Sequence, residues 1–307
     1  MLERAVVGMA QWLPTPGRPE ENLRDALDFV DQLAAQGCDL IVLPELWPSG
    51  FSWATLGEDV RASAQPLGGP RVEALASAAR SAGVWLAAGS VPESHPGGVY
   101  NTALLFSRTG DLRAVHRKAH LYAPLGEDSA LTPGSTLTTC ATDDFGVVGL
   151  SICFDGDFPE VGRAMAAAGA RVILHPSAYE LEAASWWDRL YPAHALENGQ
   201  WWIMSNQCGS NPSGTLLGAS QIISPSGDVV AQATRVSGPG DSPKAELLVT
   251  ELALSAEIER ADRENQVLWS LRRPELYGGD ATTTTGSPLD GDAPPHTDRA
   301  PESLGKR

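Results

Sequence analysis

The chain has 307 residues, 42% of them hydrophobic, with a formal net charge of −16 at pH 7. That is apolar material for one large domain or two small ones. Its acids are scattered and basic patches are missing, which argues against nucleic acid or an anionic membrane surface as partner.

From the N-terminus, "AVVGMAQWLPTPG" reads as a strand and "PEENLRDALDFVDQLAAQG" as an amphipathic helix, with Pro and acids in its first turn and a closing Gly. "CDLIVLPEL" is a short buried strand leading to Glu45. A helix over "GPRVEALASAARSAG" and a strand "VWLAAGSV" follow. Next comes a strand pair through "YNTALLFSRTGDLRAVHRK", turning at Thr109-Gly110-Asp111. The apolar run from Gly146 ends a strand at Ile152, delivers Cys153 to a polar corner, and gives way to a helix from near Asp157 through "GRAMAAAG". The strand "ARVILHPS", a long helix near "SWWDRLYPAHALENG", and the strands "WWIMSNQ", "GASQIISPSGDVVAQ" and "AELLVTELA" complete the pattern. Continuous apolar strands alternating with helices predict an α/β protein with buried sheets, and turns such as Ser226-Gly227-Asp228 add antiparallel pairs. Residues 278–307 are rich in Gly, Pro, Thr and Asp and poor in apolar side chains. They read as a disordered or extended tail outside a domain spanning 1–277.

Cys38, Cys140, Cys153 and Cys208 form no CxxC pair, so neither a zinc ribbon nor a dithiol motif is available. With no secretory signal and no apolar run long enough to span a bilayer, the expected setting is the reducing cytoplasm, with free thiols and no membrane.

Cys153 has two readings: a small buried hydrophobe, or a nucleophile at a strand-to-helix junction, where helix amides face a thiolate and an oxyanion. Its companions decide between them. Glu45 is an acid beside four apolar residues, costly unless paired, protonated or capping a helix. Lys118 follows a strand and Glu127 lies in a Pro/Gly-rich loop; alone, each reads as a solvated charge. Together, a carboxylate desolvated at a strand end is a base for the thiol, and an ammonium stabilises an oxyanion.

The stretches "LPELWPSGF", "HRKAHL" and "CFDGDFPE", followed by "HPSAY", "HALENGQWWIMSNQCG", "GASQIISPSGDV" and "VLWSLRRPELYG", resemble in that order the nitrilase or carbon–nitrogen hydrolase superfamily. The resemblance covers Val6 to Tyr277. It implies a four-layer α-β-β-α sandwich that dimerises through the helices flanking the cysteine. It also implies Glu45 as general base, Lys118 and the Phe154 N–H as oxyanion stabilisers, Cys153 as nucleophile, and Glu127 as auxiliary acid. Neither a metal nor an organic cofactor is implied, and no HExxH or clustered ligand set contradicts that.

Phe154-Asp155 resembles the aromatic-Asp pair of amidases and carbamoylases more than the Trp-Glu pair of nitrilases. A small amide is thus the expected substrate and a nitrile the alternative; acyl transfer to another amine and an idle scaffold are the remaining rivals. Where several relatives place an arginine after this pair, this chain has Gly156 and Asp157. Asp157 either faces the pocket, favouring a neutral or cationic amide, or caps the next helix. Phe51, Phe154 and Tyr179 follow motifs bordering the pocket and would build an aromatic wall. Pro192 and His194 replace arginines common in relatives, and His194 is read as a helix-surface or interface residue. His175 is read as lining the pocket or sitting satisfied in the core. Each of the pairs Trp186-Trp187 and Trp201-Trp202 is expected to give one core and one interface contact.

Overall fold

The computed structural model describes residues 1–274, Tyr277 and the backbone of Thr283–Thr284. The first half runs β1 (Ala5–Gln11), α1 (Pro19–Ala35), β2 (Leu40–Val42), α2 (Leu56–Ser63), α3 (Pro70–Ala82), β3 (Trp85–His95), β4 (Gly98–Phe106), β5 (Leu112–Arg117) and α4 (Glu127–Ala130). The second runs β6 (Leu137–Thr142), β7 (Gly146–Leu150), α5 (Pro159–Ala167), β8 (Val172–Ser177), α6 (Ala184–Asn198), β9 (Trp201–Asn206), β10 (Cys208–Asn211), β11 (Gly214–Leu217), β12 (Gln221–Ile223), β13 (Val229–Gln232), β14 (Glu246–Leu252), α7 (Leu254–Ser270) and β15 (Thr283–Thr284).

The strands sort into two large sheets, β14-β1-β2-β3-β4-β5 and β13-β12-β9-β8-β7-β6-β15, with β10-β11 as a separate hairpin. The central pairs β1-β2-β3 and β7-β8-β9 are parallel; β1-β14, β3-β4-β5, β6-β7 and β9-β12-β13 are antiparallel. Alternation along the strands sends half of each sheet inward. Val7, Met9 and Trp85 from one sheet meet Val148, Leu174 and Ile203 from the other in one core. The opposite face of the first sheet packs under α1 and α3 through Ile41, Leu86, Val30 and Leu75. That of the second packs under α5 and α6 through Ile173, Trp202, Met165 and Trp187. The result is a four-layer α-β-β-α sandwich, the architecture expected for parallel strands buried on both faces.

The helices follow their sequence signals. Asn22, Ala26, Val30 and Leu33 form the buried stripe of α1, and Pro19 with Glu20 and Glu21 opens it. Three helices went unpredicted: α2, α7 and the single turn α4, where Glu127 was expected in a loop. In α2 the apolar face is only Leu56 and Val60, and in α7 only Leu254, Ile258 and Ala261 are buried along seventeen residues. The helix expected from near Asp157 begins at Pro159, because Cys153–Asp157 winds as a 3₁₀ turn. Trp187 is the expected core residue of its pair and Trp186 is exposed, but Trp201 and Trp202 are both core residues. They project to opposite faces of β9, so one fills the inter-sheet core and the other the layer under α6. The tail read over 278–307 lies outside the described residues except Thr283–Thr284, which pair in parallel with β6. Among the described residues no helix is long and apolar enough to cross a membrane.

One bulge in β3 holds the backbone on either side of Glu45. Register against β4 shifts between Ala87 and Ser90, and Gly89 there takes φ +65°. A Cβ at Gly89 would lie 2.0 Å from the Pro44 carbonyl oxygen. The bulge aims the Ser90 N–H at that same oxygen (3.2 Å) and lets Ser90 Oγ accept from the Leu46 N–H (2.9 Å). Gly89→Ala is expected to lower stability by about 2 kcal/mol or more, read as a lower urea midpoint at unchanged slope.

Candidate active site

Glu45, Cys153 and Ala178 lie just beyond the C-terminal ends of the parallel strands β2, β7 and β8, where backbone groups leave their ladders and side chains can converge in a crevice. Lys118 follows β5 and Glu127 opens α4. All these charges are buried, Lys118 1% exposed and the two glutamates 0%. Burying one such ion costs several kcal/mol, so the geometry must compensate. Lys118 Nζ donates to Glu45 Oε1 at 2.9 Å and to both Glu127 oxygens at 2.9 and 2.8 Å. Glu45 Oε1 also accepts from Asn101 Nδ2 (2.8 Å), and Oε2 from the Ala178 N–H (2.8 Å). Glu127 Oε2 accepts the Tyr122 N–H at 2.7 Å.

The Cys153 thiol stands near the Glu45 carboxylate and the Ala178 N–H, and both act on its ionisation. Burial, and then the Glu45 charge, push the thiol pKa well above its ordinary value, so the resting group is protonated and needs a base. Burial also raises the Glu45 pKa, against the pull of Lys118. Burial works against the Lys118 charge, but Glu127 and Glu45 outweigh it and hold the ammonium. The backbone bends sharply at both candidate groups: Cys153 has φ +44° and Leu46, after Glu45, has φ +42°. Such left-handed branched or bulky residues persist only where surrounding contacts enforce them.

For Cys153 the enforcement comes from Asp155, a fully buried carboxylate that sequence reasoning treated only as part of a motif. It accepts from the Ile152 N–H (3.2 Å), the Ala119 and His120 N–H groups (3.1 and 2.8 Å), His120 Nδ1 (2.8 Å) and His116 Nε2 (3.0 Å). Burial opposes its charge, yet the two histidine hydrogen bonds hold it well below the usual carboxylate range. One side chain thus ties the cysteine corner to the segment on either side of Lys118. Asn101, also unforeseen, stands in the apolar run "YNTALLF"; a lone amide in a buried strand was the available signal.

The pocket above the thiol encloses about 410 Å³, part of it open to solvent, and Phe51, Phe154, Asp157 and Tyr179 all line it with Lys118, Glu127 and Cys153. Asp157 does not cap α5, whose N-cap is Phe158 with no side-chain bond. Instead it accepts from Tyr179 Oη (3.1 Å to each oxygen) and Tyr191 Oη (2.7 Å). His194 is not on the helix surface: it is 3% exposed, turned toward Tyr191 and Trp202, with Nδ1 3.1 Å from Glu197 Oε1. His175 lies in the core, where Nδ1 meets Ser151 Oγ (3.1 Å) and burial pushes its pKa down to about 3. All four cysteines are unpaired. Among the described residues no group of three or more His, Cys, Asp or Glu is arranged to hold a metal.

Replacing the buried cation probes how far the cluster depends on it. Lys118→Met leaves two carboxylates facing each other in the interior. It is expected to cost about 3–5 kcal/mol in denaturant unfolding, more than a fitted apolar swap of similar size.

The carbon-nitrogen hydrolase family profile matches residues 5–257. Deaminated glutathione amidase from Homo sapiens is 30% identical over 290 residues, covering 90% of this chain and 84% of the relative. 2-Oxoglutaramate amidase from Bacillus subtilis (strain 168) is 33% identical over 261 residues, covering 85% and 95%. Among solved structures, a cysteine-to-alanine mutant of the amidase from Nesterenkonia sp. AN1 in complex with butyramide superposes with a TM-score of 0.69 at 26% identity, covering 86% of this chain and 97% of that one.

Proposed function

The chain belongs to the carbon–nitrogen hydrolase family, and from that premise we propose that it hydrolyses a small amide to an acid and ammonia through a thioester on Cys153. The observation that carries this is the convergence of the partly buried Cys153 thiol, the Lys118 ammonium and Glu127 on one pocket, with Lys118 hydrogen-bonded to both Glu45 and Glu127.

In this scheme Glu45 takes the Cys153 proton as Sγ bonds to the amide carbon, and the carbonyl π pair moves to oxygen. Lys118 and the Phe154 N–H hold that oxyanion. Glu127 can grip Nζ through one shared hydrogen, which leaves another to aim at the oxyanion. The oxyanion collapses, the C–N bond breaks, and the Glu45 proton goes to the departing nitrogen, releasing ammonia. Glu45 then takes a proton from water as its oxygen adds to the thioester; collapse breaks the C–S bond and the proton returns to sulfur. The sum is amide plus water to acid plus ammonia. Glu127 has both oxygens occupied and serves Lys118 rather than a proton.

Four unpaired thiols fit a reducing cytoplasmic setting. Exposed Leu196 on α6, Val229 and Val230 on β13, and Val267, Leu268 and Leu271 at the end of α7 support a homodimer, which light scattering would read.

Cys153→Ala is expected to lower ammonia release from short aliphatic amides by at least about three orders of magnitude while leaving the fold intact; residual turnover near wild type would refute the thiol mechanism. The pH profile tests the base. Glu45 must be ionised to accept the proton, and its pKa is raised, so activity is present above that pKa and lost as pH falls through it. The acid limb of kcat/KM is therefore expected above the ordinary glutamate value of 4.5.

A further inference from the structure

Two carboxylates in the catalytic pocket have no part in the hydrolytic scheme: Asp157 and Glu180. Asp157 is held by two phenol hydroxyls, from Tyr179 and Tyr191, and makes no ion pair with a described residue. Among the described lining residues the only cation is Lys118, already enclosed by Glu45 and Glu127, and none is arginine. Gly156 offers no side chain either, since a Cβ there would meet His175 and Tyr191 at 2.6 and 2.7 Å. Glu180 lines the pocket with Trp53, whose ring meets Phe51 edge-on at 4.2 Å between centroids.

The placement relative to the thiol limits the ligand. Tyr191 Oη reaches Asp157 at 2.7 Å and the Cys153 carbonyl oxygen at 3.3 Å, so a single hydroxyl bridges the Asp157 carboxylate and the backbone of Cys153. Cys153 and Asp157 line the same pocket, so an acyl group on the thiol shares that space with this charge. A substrate carboxylate there would face like charge in a partly desolvated site. An ammonium would meet a carboxylate and aromatic rings, the surroundings that favour cations.

We propose that the preferred amide carries a protonated amine a short alkyl chain from the scissile carbonyl, and that Asp157 is the residue that selects it. This rests on the amide-hydrolase reading above and deepens it. It also sets this chain apart from the 2-oxoglutaramate amidase it is similar to, whose named substrate is an acid.

The test compares three amides of matched length, γ-aminobutyramide, pentanamide and glutaramate, by ammonia release from the full chain. The cation is expected to exceed the neutral amide in kcat/KM by about tenfold or more, mostly through KM, and the anion to be poorest. Asp157→Asn is expected to bring the cation-to-neutral ratio near unity, and Asp157→Glu, which keeps the charge, to retain the preference. Equal or better turnover of pentanamide or glutaramate by wild type overturns the assignment while leaving the hydrolase reading intact. A preference that survives Asp157→Asn overturns the role of Asp157. Silence toward all three amides also overturns the substrate proposal; the hydrolase reading is then judged apart, by mass spectrometry for an acyl adduct on Cys153 across a wider amide panel.

Discussion

A lysine ammonium buried between two glutamates is the constraint on which the rest of the structure depends. In water such a cluster would be loose and weak; in the interior it persists only if nearly every hydrogen and lone pair is met. Here the partners come from all around the crevice: the Asn101 amide from β4, the Ala178 N–H after β8, the Tyr122 N–H before α4. Meeting that demand brings the ends of both sheets together. The same enclosure that makes the cluster costly raises the pKa of Glu45 and pushes that of the Cys153 thiol well up.

A second buried acid does a different job. Asp155 touches five donors and makes a rigid joint between the cysteine turn and the lysine segment. The left-handed backbone at Cys153 persists because this joint over-determines it. Charge at the reacting centre and charge in the supporting joint are thus separated: one set of carboxylates faces the pocket, the other is sealed behind it.

Much of this was legible in the chain. Glu45 is out of place beside an apolar strand, while Lys118, Glu127 and Cys153 read as ordinary residues one by one and pointed to a site only as a set; the structure gathers all four around one crevice. The alternating strands and helices pointed to the layers, because parallel strands buried on both faces write continuous apolar runs. What stayed hidden has physical reasons. Whether Asp157 capped a helix or faced the pocket turned on the 3₁₀ turn that delays α5 to Pro159, a local winding that composition does not encode. His194 looked like a surface residue in a polar stretch, but Tyr191, one turn away, and Trp202, from the next strand, close over it. In α7 the buried stripe is too thin to stand out, since one flank of the helix is left uncovered in the single chain. Asn101 and Asp155 act through partners scattered along the sequence, and only the fold reveals such partners.

The proposed general base, Glu45, follows a strand of one sheet and the proposed nucleophile, Cys153, a strand of the other, and the inter-sheet core sets the spacing of the two sheets. The reacting distance is therefore a gauge of sheet spacing. Adding or removing a methylene at Met9, Leu174 or Ile203, far from any substrate atom, alters the spacing of a close-packed layer and with it the approach of Glu45 to Cys153. In this architecture the hydrophobic core is a tuning element of the reaction, and drift in its side-chain volumes is constrained by turnover as well as by stability.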